Sequence, residues 1–184
     1  MSLLRAFSRD GAPRRQINRA PSALAAGTVP WLTVLLASLL PGMLLIASGP
    51  VLPPFGFLVF VAWRQMRPGV FPLWAGLPLG LFDDLFSGQP FGSGVLLFSL
   101  ATIALDLIEA RLPWRNFLIE WLVAILLVAL YICAGLGLAN LAGAATPIRF
   151  VLPQILISVF TYPLVGRFVA LCDRIRLTPF LVVQ

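Results

Sequence analysis

The stretch "GLPLGLFDDLFSGQPFGSG", Gly76 to Gly94, places two adjacent aspartates near the end of an apolar run. An ionised carboxylate in hydrocarbon is costly, so Asp83 and Asp84 need either partners or water. The chain contains no lysine and no histidine that would pair with them. We therefore expect hydroxyl groups, backbone amides or Arg149 to be their partners.

The composition around this stretch is that of an integral membrane protein. The 184 residues are 60% hydrophobic and only 11% charged, whereas soluble domains carry roughly 25% charged residues. The net charge of +6 is typical of membrane proteins with arginine in their cytoplasmic loops, and nucleic acid is not needed to explain it. The absence of histidine removes the commonest general base and metal ligand. We expect a protein that is not an enzyme and has no cofactor or metal site.

Six apolar segments follow an arginine- and proline-rich tail. A membrane-spanning helix needs about 20 residues; four of the six segments reach or nearly reach this length, and the second is short. The sequence predicts an all-α, six-helix transmembrane bundle over residues 31–176, with a disordered cytoplasmic tail at 1–30 and a short cytoplasmic tail at 177–184. The segments are Trp31–Ser48, Val51–Trp63, Val70–Ser87, Phe91–Ile108, Phe117–Leu141 and Ile148–Leu171.

The arginines predict the orientation of this bundle. If both termini lie in the cytoplasm, six spans place every arginine except Arg149 on the inner side, as the positive-inside rule requires. Without the second segment, Arg64 and Arg67 would lie outside. We therefore predict six spans with both termini cytoplasmic.

Small residues and one of the aspartates share a face of the third segment. Residues four apart lie on the same side of a helix, so Gly76, Gly80, Asp84 and Gly88 form one stripe. Glycines at this spacing let another helix approach closely. We predict that the stripe packs against a helix or a partner protein and that Asp84 is a buried, hydrogen-bonded acid. Asp83 has two interpretations: an acid at the outer interface, solvated or capping the fourth helix, or a second buried acid.

A second group of charges ends the fourth segment in "LDLIEARLPWR". Asp106 and Glu109 are three residues apart, and Arg111 and Arg115 follow. The pattern predicts an interfacial cluster of ion pairs that fixes the depth of the helix. The alternative is a docking site for a partner protein.

The stretch "GLFDDLFSGQPFG", residues 80–92, resembles the signature of the MreD family of bacterial rod shape-determining proteins. That signature has a glycine, an aspartate four residues later and two glycines in the following turn. Gly80, Asp84, Gly88 and Gly92 match it. Asp83 occupies a position that is usually apolar in the family, so the resemblance assigns it no role.

The last segment, "SVFTYPLVGRFVALCDRIR", also resembles the end of that family, with Thr161 and Pro163 ahead of a basic terminus. Pro163 is therefore a further candidate for helix packing or partner contact. The resemblance covers residues 31–176 and leaves the N-terminal tail outside.

The resemblance implies a fold similar to the S components of ECF vitamin transporters. It also implies a non-catalytic, multi-pass protein of the bacterial inner membrane that maintains rod shape during peptidoglycan synthesis. The implied partners are MreC, MreB, RodA and a class B penicillin-binding protein. The alternative function is a small solute-binding subunit of a transporter, with Asp83 and Asp84 at a substrate or proton site. An intramembrane aspartyl protease would need acids on two facing helices, whereas these two are consecutive.

The orientation is testable with reporter fusions. Fusions after Ser48, Gly88 and Ala144 should report an extracytoplasmic location, and those after Arg67 and Arg115 a cytoplasmic one, because arginine-rich loops stay inside. A fusion at the C-terminus should also report the cytoplasm. A cytoplasmic signal after Gly88 would contradict the six-span topology.

Overall fold

The structure, a computed structural model, describes residues 19–20, 23–44, 52–111, 116–177 and 181–182. The six predicted helices are all present in these ranges, and 3-10 turns at Leu73–Ala75 and Ile148–Phe150 precede the third and the sixth. The helices are α1 Ala23–Leu44, α2 Phe55–Met66, α3 Gly76–Ser87, α4 Ser93–Arg111, α5 Phe117–Leu141 and α6 Leu152–Leu177.

Two-residue strands pair the ends of the described chain. β1, Arg19–Ala20, runs antiparallel to β2, Leu181–Val182, so the two terminal segments lie side by side. Most of the predicted tails, at 1–30 and 177–184, lies outside the described residues, and so does Arg115.

Three helical stretches in the described ranges are long and apolar enough to cross a membrane: Ser93–Arg111, Phe117–Leu141 and Ile148–Leu177. Gly27–Met43 and Phe55–Met66 are shorter apolar helices. The chain is thus a helical membrane protein, while six complete crossings stay a prediction.

Helix α3 is shorter than the predicted third segment. The segment begins at Val70, but the helix begins at Gly76 and has 12 residues, a length of about 18 Å. Pro72 adopts an extended conformation ahead of the 3-10 turn, and Phe71 turns into the core with 2% of its surface exposed. The predicted helix therefore lacks its first turns, because the chain is extended at Pro72 and Phe71 is buried in the core.

Helix α2 lies at the centre of the bundle, with α1, α4, α5 and α6 packed around it. Every residue from Gly56 to Gln65 is buried. The helix begins directly after Pro54, and the side-chain amide of Gln154 donates to the carbonyl of Leu52 at 2.8 Å. The short second segment is thus a central helix whose proline-bent entry is attached to α6, and Val51 lies outside the described residues.

Aromatic rings form the middle of the core. Phe57 of α2 stacks on Tyr131 of α5 with ring centroids 4.2 Å apart. Phe98 of α4 contacts both Phe57 and Phe60, with centroid distances of 5.3 and 5.2 Å. The rings hold three helices together in geometries that aromatic pairs favour.

Among the described residues, α3 and α4 form the most extensive helix–helix contact, and glycines make it possible. A Cβ atom on Gly76 would lie 2.8 Å from the Cα of Ser99. One on Gly80 would meet the backbone of Gly94 and lie 2.6 Å from the nitrogen of Val95. Gly76 and Gly80 thus pack against a helix of the same chain, where a larger residue has no room.

This packing predicts that Gly80→Leu strongly destabilises the protein. The leucine has to push two backbones apart, and overpacking of this kind costs about 1–3 kcal/mol or more. The measurement is the midpoint of thermal unfolding of the purified protein in detergent.

Gly137→Leu in α5 is the matched control, because nothing lies within 4 Å of a Cβ atom at that position. It should unfold at the wild-type temperature. Equal midpoints for the two variants would contradict the close approach of α3 and α4.

Candidate functional site

The carboxylate of Asp84 caps the start of α4. Its Oδ1 accepts hydrogen bonds from the amide of Gly94 at 2.6 Å and from the hydroxyl of Ser93 at 3.2 Å. Its Oδ2 accepts from the amide of Gly92 at 2.9 Å and, more weakly, from that of Val95 at 3.4 Å. The first amides of a helix have no helical partner and attract negative charge. An acid on one helix therefore completes the N-terminus of the next.

Gly88 and Gly92 form the turn that brings α4 back to this acid. Both adopt left-handed conformations, with φ of +67° and +94°, which glycine tolerates without strain. Gly88 follows the last residue of α3, and nothing lies within 4 Å of a Cβ atom at either glycine. The helical stripe expected from the sequence therefore ends at Asp84, because α3 ends before Gly88.

Asp83 is also buried, with 6% of its surface exposed. Its Oδ2 accepts a hydrogen bond from the hydroxyl of Tyr131 at 2.9 Å. A Cβ atom on Gly56 would lie 2.9 Å from Oδ1 of Asp83 and 3.0 Å from the Cβ of Ser38. Side chains or backbone from α1, α2, α3 and α5 thus meet at this carboxylate. The buried interpretation of Asp83 is correct, and the solvated one is wrong.

Residues 25–174 match the sequence model of MreD, the rod shape-determining protein. The chain belongs to the MreD family. The resemblance predicted from the sequence is confirmed. Membership makes the chain a rod shape-determining membrane protein, and members of this family are not known as enzymes. Searches of curated proteins and of solved structures found no match to the chain.

The ion pairs predicted at the end of α4 differ from those in the structure: the described partner of Asp106 comes from α2 and not from α4 itself. Asp106 pairs with Arg64 of α2, whose other terminal nitrogen donates to the carbonyl of Phe71 at 3.0 Å. Arg64 is only 4% exposed. Arg111 is exposed, because five residues from Asp106 correspond to about 140° around a helix. Glu109 is half-buried on the same helix as Asp106.

A second ion-pair group joins the end of α2 to the end of α6. Nε and Nη2 of Arg67 donate to one oxygen of Asp173 at 3.0 and 2.8 Å, and Nε of Arg176 donates to the other at 2.7 Å. The guanidinium of Arg176 also lies 5.1 Å from the centre of the Trp63 ring. The hydrogen bond with Asp173 raises the pKa of Arg67, although an arginine is charged at physiological pH without it.

Pro163 lies within α6 and changes its contact with α5. A proline has no amide hydrogen, so the carbonyl four residues earlier lacks its helical donor. That carbonyl belongs to Val159, and it accepts a long hydrogen bond, 3.4 Å, from the indole nitrogen of Trp121. Pro163 thus frees a backbone acceptor that links the two helices.

The cap on α4 predicts that Asp84→Leu destabilises the protein. The substitution leaves the amides of Gly92 and Gly94 without their acceptor, at roughly 1–3 kcal/mol for each buried donor. The stability of Asp84→Asn should lie between those of the wild type and Asp84→Leu. One side-chain oxygen still accepts a hydrogen bond, while the new NH2 group faces a backbone amide hydrogen that it cannot accept. The measurement is chemical unfolding in mixed micelles.

Leu85→Ala is the neighbouring control, since Leu85 is 62% exposed. It should unfold at the same denaturant concentration as the wild type. If Asp84→Leu does so as well, the cap contributes nothing to the fold.

Proposed function

We propose that the chain is a non-catalytic component of the peptidoglycan-elongation complex in the bacterial inner membrane. In this role it maintains rod shape by presenting helix faces to MreC, MreB, RodA and a class B penicillin-binding protein. Both termini lie in the cytoplasm, and the fold resembles that of ECF S components. The single observation that carries the proposal is the MreD match over residues 25–174.

The state of the two aspartates supports a structural role. Both oxygens of Asp84 accept hydrogen bonds from the start of α4, and Asp83 accepts one from Tyr131. A carboxylate engaged in this way stabilises the packing of α3. The transporter alternative needs these same groups to be available to a solute or a proton, so the geometry favours shape control.

The remaining surface on which partners act is the outside of the bundle. Large apolar side chains face outward on α1, α3, α4, α5 and α6. In a bilayer such residues are solvated by lipid, so hydrophobicity alone does not distinguish a partner-binding face from a lipid-facing one. The faces that bind partners therefore have to be mapped by experiment. One exposed leucine on each of four helices serves as a probe: Leu36 at 63% exposure, Leu100 at 52%, Leu126 at 56% and Leu164 at 65%.

The experiment combines complementation with photocrosslinking. In a rod-shaped host depleted of its own MreD, the chain should restore rods. A photoreactive amino acid at Leu36, Leu100, Leu126 or Leu164 should then crosslink to membrane partners from some faces only. The four positions have similar exposure and act as controls for one another. Mass spectrometry identifies the crosslinked proteins.

Recovery of cell-wall synthases with MreC supports the proposal. Failure to restore rods, together with recovery of a pair of ATPases, would contradict it in favour of the transporter alternative.

A further inference from the structure

A pocket of about 300 Å³ lies between α2, α5 and α6, a volume at the lower end of small-molecule sites. It lies beside the last turn of α2 and the first turn of α5, close to the ion pairs of Arg64 and Arg67. Its lining combines polar and aromatic side chains, among them Gln65, Phe117, Glu120, Trp121, Tyr162 and Arg167.

Gln65 gives this pocket an unused hydrogen-bond donor. The residue is 5% exposed, and its Oε1 accepts from the hydroxyl of Tyr162 at 2.6 Å. Its Nε2 is buried and has no hydrogen-bond partner in the part of the chain that the structure describes. Buried donors are nearly always paired, so this nitrogen has capacity for one more acceptor, and the residue that carries it lines the pocket.

Two opposite charges stand at the same pocket. Glu120 lies in the first turn of α5, and Arg167 is exposed on α6. Neither forms an ion pair among the described residues, since the three pairs found there involve other side chains. The pocket therefore offers one negative and one positive group to a ligand that carries both charges.

The position in the bilayer restricts what this ligand is. Tryptophan concentrates at the depth of the lipid headgroups, and Trp121, which is partly exposed, lines the pocket. Asn116, which caps the start of α5 by accepting from the amide of Ile119 at 3.0 Å, is exposed one turn away from Glu120. At this depth the surrounding molecules are phospholipids.

We propose that the pocket binds the headgroup of a zwitterionic phospholipid that carries a primary ammonium. Arg167 and Nε2 of Gln65 hold the phosphate, and Glu120 holds the ammonium. The acyl chains lie along the outward faces of α5 and α6. A primary ammonium donates hydrogen bonds to a carboxylate, whereas a choline group does not. A phosphatidylglycerol headgroup has no cation for Glu120.

The test measures lipid binding to the full chain, purified in detergent, by native mass spectrometry and thermal stabilisation. The probes are phosphatidylethanolamine, phosphatidylcholine and phosphatidylglycerol. The wild type should bind phosphatidylethanolamine about fivefold more tightly than either of the others, as expected for a partly exposed charge pair. Glu120→Gln should abolish this preference, and Arg167→Gln should weaken the binding of all three lipids.

Arg174→Gln is the matched control, because Arg174 is exposed on the same helix and does not line the pocket. It should retain the wild-type preference. Equal binding of the three lipids by the wild type, or an unchanged preference in Glu120→Gln, would overturn the proposal and indicate ordinary surrounding lipid only. Competition by soluble phosphoethanolamine at the concentration effective for the lipid would also overturn it, in favour of a soluble ligand.

A photoreactive phosphatidylethanolamine analogue gives a readout that needs no variant. Adducts concentrated on peptides that contain Phe117 or Arg167 support the site. Adducts spread evenly over the six helices contradict it.

Discussion

The amides at the start of α4 have no helical carbonyl to bind, and in a bilayer little water is present to replace it. Asp84 resolves this problem from a different helix, with one carboxylate oxygen for Gly94 and the other for Gly92. The cap requires α3 and α4 to lie almost in contact, and the missing side chains of Gly76, Gly80 and Gly94 permit it. The left-handed turn at Gly88 and Gly92 then follows from the need to reverse the chain within a few residues. The family motif is therefore a single structural unit.

The two consecutive aspartates attach α3 on two sides. Successive residues on a helix point about 100° apart, so Asp84 faces α4 while Asp83 reaches Tyr131 on α5. Tyr131 in turn stacks on Phe57 of the central helix. The pair thus connects the short α3 to the aromatic core as well as to its neighbour. The arginine-rich end is joined differently, by Arg64 and Arg67 pairing with acids on α4 and α6.

Much of this arrangement is predictable from the sequence because it is local. Hydropathy locates all six helices, and the four-residue spacing finds the contact at Gly80 and the burial of Asp84. The same spacing wrongly places Gly88 on the helical stripe, because α3 ends at Ser87. The pairings of Asp106 with Arg64 and of Asp173 with Arg67 are not predictable from local spacing, since both arginines lie far away in the chain. The sequence leaves Asp83 with two interpretations, because its buried partner Tyr131 lies 48 residues away in the chain.

The short length of α3 has a consequence for the membrane around it. The helix is 12 residues long, so it spans about 18 Å where the hydrocarbon layer is about 30 Å thick. Helix α2 is equally short, but it is buried and does not meet lipid. In the predicted six-span topology helix α3 does meet lipid, because Leu77 and Leu85 are 52% and 62% exposed. Lipids along this one face have to shorten or tilt, at a cost that grows with each ångström of mismatch. In that topology a protein neighbour that covers α3 removes the deformation, and we therefore expect bilayer thickness to affect how this chain associates.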